Sequence, residues 1–307
     1  MSHNRRSDDD SRWMHHAFAL ARKGEGLTRP NPPVGAVVIS DGRIVGTGYH
    51  KKAGGPHAEV VALRNAGSKS QGATLYVTLE PCCTYGKTPP CTNMIIAAGI
   101  ARVVLSVRDP NPKHRGRGIR RLQQAGIDVT EKVCSDEGFK IIAPFAKWIT
   151  TGQPYVTLKL GMTLDGKIAD KNGNSKWITS NKARNEVQNL RKHADAILVG
   201  HGTIVADNPS LLCKSRQRTG AFRIIVDSKG TITHNTRVLA DGNADRTIIA
   251  TTQSCPNRTK KMIENMGGQV WVMPTANGMV SLSALARKMG EFGLLRVVCE
   301  GGGELAS

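Results

Sequence analysis

Two short stretches carry the residue types of a hydrolytic metal site: His57-Ala58-Glu59, and Glu80-Pro81-Cys82 with a second thiol at Cys91. One imidazole and two thiolates make three ligands for a tetrahedral zinc and leave the fourth position to water, whose pKa zinc lowers towards neutrality. Glu59 stands two residues from His57 and need not ligate. It can reach the water instead and carry its proton to a ring nitrogen and a leaving amine. The order matches the H-x-E…P-C-x-x-C pattern of zinc-dependent nucleobase deaminases. One departure stands out: eight residues separate Cys82 from Cys91, where the short form has two. Cys83 competes with Cys82 for the metal, but Pro81 leads directly into Cys82, so Cys83 reads as a bystander. His50 and the other histidines read as structural or surface residues.

Periodicity and turn chemistry give the elements that must hold these groups. A helix starts at Ser11, with Trp13, Ala17, Leu20 and Ala21 on one face and Asp10 or Ser11 able to cap it. Pro30-Asn31-Pro32-Pro33 breaks it. Strands over 34–39 and 43–49 flank Asp41-Gly42, a hairpin turn signal. A helix over 58–66 closes at Gly67 and carries His57 and Glu59 at its start. A strand over 74–78 leads into the thiol-bearing loop. A helix over 93–98, directly preceded by Cys91, then a strand over 102–107, a helix over 119–125, a strand over 127–130 and a helix over 136–149 follow. This order predicts a mixed sheet between helices in residues 1–150. Thr151-Gly152-Gln153-Pro154 reads as a linker. Residues 151–307 then start a second alternating series. It has strands over 155–160, 196–200, 222–227, 247–251, 269–273 and 295–300, turns at Asp165-Gly166 and Asn172-Gly173, and a helix over 181–193 capped by Ser180. The fold class is therefore α/β in two domains.

The 307 residues carry 43 Lys and Arg against 24 Asp and Glu, a net charge of +19. The basic residues are scattered rather than gathered in a tract, and the densest stretch, Lys113 to Arg121, reads first as a solvated basic face and second as a place of phosphate attraction. No run of about 18 apolar residues is present, so no membrane span is expected. The first residues lack the apolar core of a secretory signal, and the seven cysteines read as reduced thiols in a cytoplasmic protein.

Several motifs extend the argument: Asn31-Pro32-Pro33-Val34-Gly35, His57-Ala58-Glu59-Val60, Val77-Thr78-Leu79-Glu80-Pro81-Cys82, Gly86-Lys87-Thr88-Pro89-Pro90-Cys91 and Arg108-Asp109-Pro110-Asn111-Pro112. On these the chain resembles the bifunctional riboflavin-biosynthesis deaminase–reductases, in which the long gap between the thiols is normal. The resemblance implies a cytidine-deaminase-like three-layer α/β/α domain with one zinc. It also implies hydrolytic deamination of a phosphoribosylamino-pyrimidine, with Asn31, Lys87, Asp109 and Asn111 lining the pocket. Two amides and a carboxylate suit a polar heterocycle, and Lys87 suits a phosphate. The chain departs from related sequences at Thr84 and Tyr85, where a His is often found, and at Lys113, His114 and Arg115, which replace small or apolar residues.

In the second domain the resemblance rests on residues 155–161, Thr163-Leu164-Asp165-Gly166-Lys167, Ser175-Lys176-Trp177-Ile178-Thr179-Ser180, Ala206-Asp207-Asn208-Pro209, Ile225-Val226-Asp227-Ser228 and Glu300-Gly301-Gly302. It implies a dihydrofolate-reductase-like α/β domain that uses NADPH to reduce a ribosyl group to ribityl. By position, Gly161, Trp177, Thr203, Asp207, Ser228, Gly302 and Gly303 would hold the nucleotide. Ser175, Arg191, Leu211, Lys214 and Glu300 would touch the substrate, with Lys214 standing where Arg is expected. Gly301 to Ala306 also fits G-x-G-x-x-A, a weak fingerprint this near the end. The family continues past this point with a helix and further strands. The second domain is therefore expected to be truncated, with its cofactor site compromised and with the homo-oligomer contacts of a complete domain lost. Two alternatives remain at this stage: a zinc deaminase acting on tRNA or single-stranded DNA, and a deaminase whose second domain only binds or assembles. The Cys82–Cys91 spacing and the second α/β domain favour a small phosphorylated pyrimidine over nucleic acid.

Overall fold

Alternation along the strands decides which helix each face receives. The computed structural model describes residues 2–85, 89–171, 178–213 and 220–306. It divides into two compact units, Met1–Thr151 and Gly152–Ser307. The first contains α1 (Ser2–Arg22), β1 (Gly35–Ser40), β2 (Arg43–Tyr49), α2 (Ala58–Ala66), β3 (Thr74–Leu79), α3 (Cys91–Ala97), β4 (Arg102–Val107), α4 (Arg117–Gln124), β5 (Asp128–Thr130) and α5 (Ser135–Thr151). The strand order is β2-β1-β3-β4-β5. β1 pairs antiparallel with β2 and β3, whereas β3, β4 and β5 run parallel. Ala36 and Val38, Leu75 and Val77, and Val103 and Leu105 pack with α2, α3 and α4. Val37 and Ile39, Tyr76 and Val104 face α1 and α5 instead. Each Val, Leu or Ile among them contributes about 1.5–3 kcal/mol on full burial, and the result is three layers.

Two details of this unit position the chemistry. α2 lies so close to β2 that a Cβ at Gly48 would come within 2.2 Å of the Ala58 carbonyl oxygen. Glycine there lets the helix start, with His57 and Glu59, settle onto the sheet. α1 begins at Ser2, earlier than the expected start at Ser11. Asp10 is therefore inside the helix and does not cap it. It is 5% exposed and accepts hydrogen bonds from Tyr76 Oη (2.8 Å) and two from the Arg102 guanidinium (2.9 and 2.7 Å). A buried carboxylate needs such a partner, and Arg102 supplies it from the adjacent sheet.

The second unit contains β6 (Tyr155–Leu158), α6 (Asn181–His193), β7 (Ala196–Gly200), α7 (His201–Asp207), β8 (Phe222–Val226), α8 (Arg237–Ala240), β9 (Thr247–Thr251), α9 (Asn257–Asn265) and β10 (Gln269–Val272). A small hairpin of β11 (Thr275–Ala276) and β12 (Met279–Val280), then α10 (Leu282–Glu291), β13 (Arg296–Cys299) and α11 (Gly303–Ala306) complete it. Six strands form one parallel sheet in the order β10-β9-β8-β7-β13-β6. Ile197 and Val199 pack towards α7, α8 and α9 on one face, and Ala196 and Leu198 towards α10 on the other. Ser180 caps α6 as expected, its Oγ accepting from Ala183 N. Arg223 is completely buried in β8, where Asp241 and the carbonyls of Ser210, Val238 and Asn243 take the N–H groups of Nη1 and Nη2. The expected strand over 155–160 ends at Leu158, and the expected turn at Asn172-Gly173 lies outside the described residues. Among the described residues no helix is long and apolar enough to cross a membrane.

Candidate active site

In the first unit two helix starts and one loop converge. His57 is the residue preceding α2, in extended conformation, and Glu59 is the second residue within it. Cys91 is the first residue of α3, behind Pro90, so that helix begins two residues earlier than its sequence periodicity predicts. Cys82 follows β3, and its loop is tied to α3 by Thr92 N to Cys82 O at 3.2 Å and by Cys91 N to Cys82 Sγ at 3.3 Å. His57 Nδ1 lies 3.1 Å from Cys91 Sγ and 3.6 Å from Cys82 Sγ. The three ligand atoms all lie within 4.8 Å of one another, and Cys83 is not part of this group.

That donor set fits zinc. Zn–S bonds of about 2.3 Å and Zn–N bonds of about 2.0 Å place tetrahedral ligand atoms about 3.5 Å apart. The electrostatics agree with a cation's place. Cys82 is brought down to about 4, first by the hydrogen bond it receives from the Cys91 thiol and then by His57. Cys91 moves the opposite way because it keeps the shared proton, held by Cys82. The His57 imidazole is raised, chiefly by its hydrogen bond with Cys82. The hydrogen bonds that join Cys82, Cys91 and His57 run where a metal would replace protons. Glu59 is 4% exposed, and burial pushes its carboxyl up.

A cavity of about 430 Å³ opens above these groups. Asn31, Asp109 and Asn111, expected in a substrate pocket, line it, while Lys87 lies outside the described residues. The cavity also takes in His50, Thr84 and His114, and an apolar wall of Phe145, Trp148 and Ile149 from α5. His50 is both structural, as expected, and part of the pocket. It is 2% exposed, and desolvation lowers its pKa. Its Nδ1 donates to the Pro56 carbonyl at 3.0 Å, which assigns Nε2 as acceptor for Asn31 Nδ2 at 3.1 Å. The neutral ring thus orients the amide that faces the cavity. Asp109 is pushed up by burial and accepts from Asn111 N at 2.8 Å.

Glu80, quoted above only as part of a motif, holds the other wall together. Its carboxylate is 4% exposed and accepts from the backbone N–H groups of Asp109, Gly116, Gly118 and Ile119 at 3.1, 2.9, 3.0 and 3.4 Å. One side chain, two residues before Cys82, therefore clamps the Asp109–Ile119 loop against the thiol loop. A Cβ at Gly118 would stand 2.1 Å from the Pro81 carbonyl oxygen, so glycine permits that approach.

In the second unit the expected nucleotide residues follow the carboxyl ends of parallel strands. Gly161 comes after β6, Thr203 and Asp207 lie on α7 directly after β7, Ser228 follows β8, and Gly302 and Gly303 follow β13. Open parallel sheets bind ligands at this edge. Ser228 Oγ is already engaged, accepting from Val280 N at 3.0 Å. Of the expected substrate residues, Arg191 and Glu300 meet in a two-pronged pair, Nε to Oε1 at 2.6 Å and Nη2 to Oε2 at 2.9 Å, with Lys159 at 3.7 Å. Leu211 is 3% exposed and packs into the core with a φ of 58°. Trp177, Ser175 and Lys214 lie outside the described residues.

Comparison with known proteins covers both units. Residues 7–107 match the model of the cytidine and deoxycytidylate deaminase zinc-binding region, and residues 154–307 match that of the RibD C-terminal domain. The riboflavin biosynthesis protein RibD of Aquifex aeolicus is 44% identical over 294 residues, covering 95% of this chain and 81% of the relative. Among solved structures, RibD of Acinetobacter baumannii superposes with a TM-score of 0.86 at 36% identity, over 98% of this chain and 83% of that one. A diaminohydroxyphosphoribosylaminopyrimidine deaminase/5-amino-6-(5-phosphoribosylamino)uracil reductase from Thermotoga maritima gives 0.85 at 40% identity, over 97% and 82%.

Proposed function

The chain belongs to the RibD family, the bifunctional deaminase–reductases of riboflavin biosynthesis, and we propose that His57, Cys82 and Cys91 hold one zinc in its deaminase domain. The deaminase family model is that of a zinc-binding region, and the reductase domain points to a nucleotide cofactor. The substrate we assign is a phosphoribosylamino-pyrimidine, and the nucleotide is NADPH.

Zinc, when bound, supplies the Lewis acidity that makes water nucleophilic near neutral pH. The chain's own residues do the rest. Asn31, Asp109 and Asn111 bind the polar edges of the ring, and Phe145 and Trp148 pack along it and exclude water. Glu59, buried beside the metal group, takes a proton from the attacking water and gives it to the ring nitrogen, then takes the remaining hydroxyl proton and gives it to the departing amine. A carbonyl replaces the amine and ammonia leaves. In the second unit the paired Arg191 and Glu300 fix the substrate's sugar. The glycine backbone at Gly302 and Gly303 lets the nucleotide approach closely.

The observation that carries this reading is the convergence of one imidazole and two thiols beside a buried, unligated carboxylate. The test supplies the phosphoribosylamino-pyrimidine with and without NADPH and identifies the products by mass. Amine-to-carbonyl exchange should occur without NADPH, and two further hydrogens should be gained only with it. An unchanged substrate in both arms contradicts the proposal.

A further inference from the structure

At the exposed side of the deaminase cavity, Thr84 and His114 meet across two loops, Thr84 Oγ1 lying 3.3 Å from His114 Nδ1. Both line the cavity, and neither belongs to the metal group or to the polar set assigned to the ring. The loop that carries His114 is held from several sides. His114 N and Arg115 N donate to the Asn111 carbonyl at 2.9 and 3.0 Å, and Arg117 N donates to the His114 carbonyl at 2.8 Å. Asn111 Oδ1 accepts from Lys113 N at 3.0 Å, and Glu80 takes Gly116 N. The imidazole is thus presented in a fixed place. Its Nδ1 is engaged by Thr84, and its Nε2 has no partner among the described residues. On either side stand Lys113 and Arg115, both exposed.

The cavity has a direction. His57, Cys82 and the buried Glu59 mark where the reacting carbon must stand, and buried Asp109 and His50 with Asn31 surround the ring. The substrate's charged, hydrated end must then point away from these buried groups and towards the exposed side. There the chain offers the His114 imidazole, with the exposed Lys113 and Arg115 next to it in sequence. We propose that His114, steadied by Thr84, contacts the phosphorylated sugar end of the substrate and sets the enzyme's preference for it over the dephosphorylated compound. The proposal rests on the pyrimidine-deaminase reading above. It needs no change in the zinc chemistry, only that the far end of the same ligand be recognised here.

Steady-state deamination is measured for the phosphoribosylamino-pyrimidine and for its dephosphorylated counterpart, with wild type, His114→Ala and His114→Gln. A hydrogen bond to a charged group is worth about 1.5–3 kcal/mol, so His114→Ala should raise KM for the phosphorylated compound about tenfold or more. Its kcat should stay within about twofold and its zinc content should not change. The dephosphorylated compound should react equally well with all three proteins, and His114→Gln, which keeps a polar donor, should recover part of the loss. An unchanged KM, or an equal loss on both compounds, overturns the proposal while leaving the deaminase reading intact. A wild type that deaminates neither compound overturns both.

Discussion

In the first unit the groups proposed to react are side chains gathered within a few ångströms at the starts of α2 and α3; in the second the assigned residues are strung along the carboxyl ends of four parallel strands. The difference follows from what each must hold. A metal needs a few atoms at bond distance, so three ligands and a clamped loop suffice, and short-range geometry decides the chemistry. A dinucleotide is long and polar and is met by backbone and loops at a sheet edge. A single substitution in the first unit should therefore abolish a reaction. In the second it should weaken one.

The sharpest way to break this contrast is Glu59→Gln. It keeps shape and burial but cannot take up and hand on a proton, so ammonia release should fall by about 10²–10⁴-fold. Zinc content and NADPH binding should persist, as metal analysis and nucleotide titration would register. Next in size is Glu80→Ala. It leaves four backbone N–H groups without their carboxylate, and unpaired buried donors cost about 1–3 kcal/mol each before relaxation. Denaturant unfolding should show the first unit destabilised by about 3 kcal/mol, with nucleotide binding by the second unit retained. A small or uniform effect would mean that the loop is held by something other than Glu80. The mildest is Glu300→Gln. It removes the charge from the two-pronged contact with Arg191 and should slow reduction about tenfold. Deamination, followed by ammonia release, should be untouched.

The same contrast governs how much could be read from the residues alone. His57, Glu59, Cys82 and Cys91 were legible because each residue type stands beside the element that presents it, and α2 and β3 follow directly from their periodicity. The sheet of the first unit was equally plain, since Val37 and Val38 sort to opposite faces. Contacts between distant segments were not. Nothing local shows that Glu80 accepts from Gly116 and Gly118, or that Asp10 serves Tyr76 and Arg102 from inside a helix. Thr84 and His114 stood out only as departures from related sequences, and folding makes them neighbours. In the second unit the strands announce themselves as apolar runs. α7, α8, α9 and α10 were not read; α7 and α8, at seven and four residues, are too short for periodicity to mark, whereas α9 and α10, at nine and ten, were simply missed. Arg191 and Glu300 form a contact that only the sheet brings together.

The account depends most on the metal being bound by these three side chains. Zinc stoichiometry measured by elemental analysis on the wild type and on Cys91→Ser tests this most directly. One equivalent per chain should be present in the wild type, and the variant should retain only a small fraction of it. A wild type with no stoichiometric zinc, or a variant that holds a full equivalent, would contradict it.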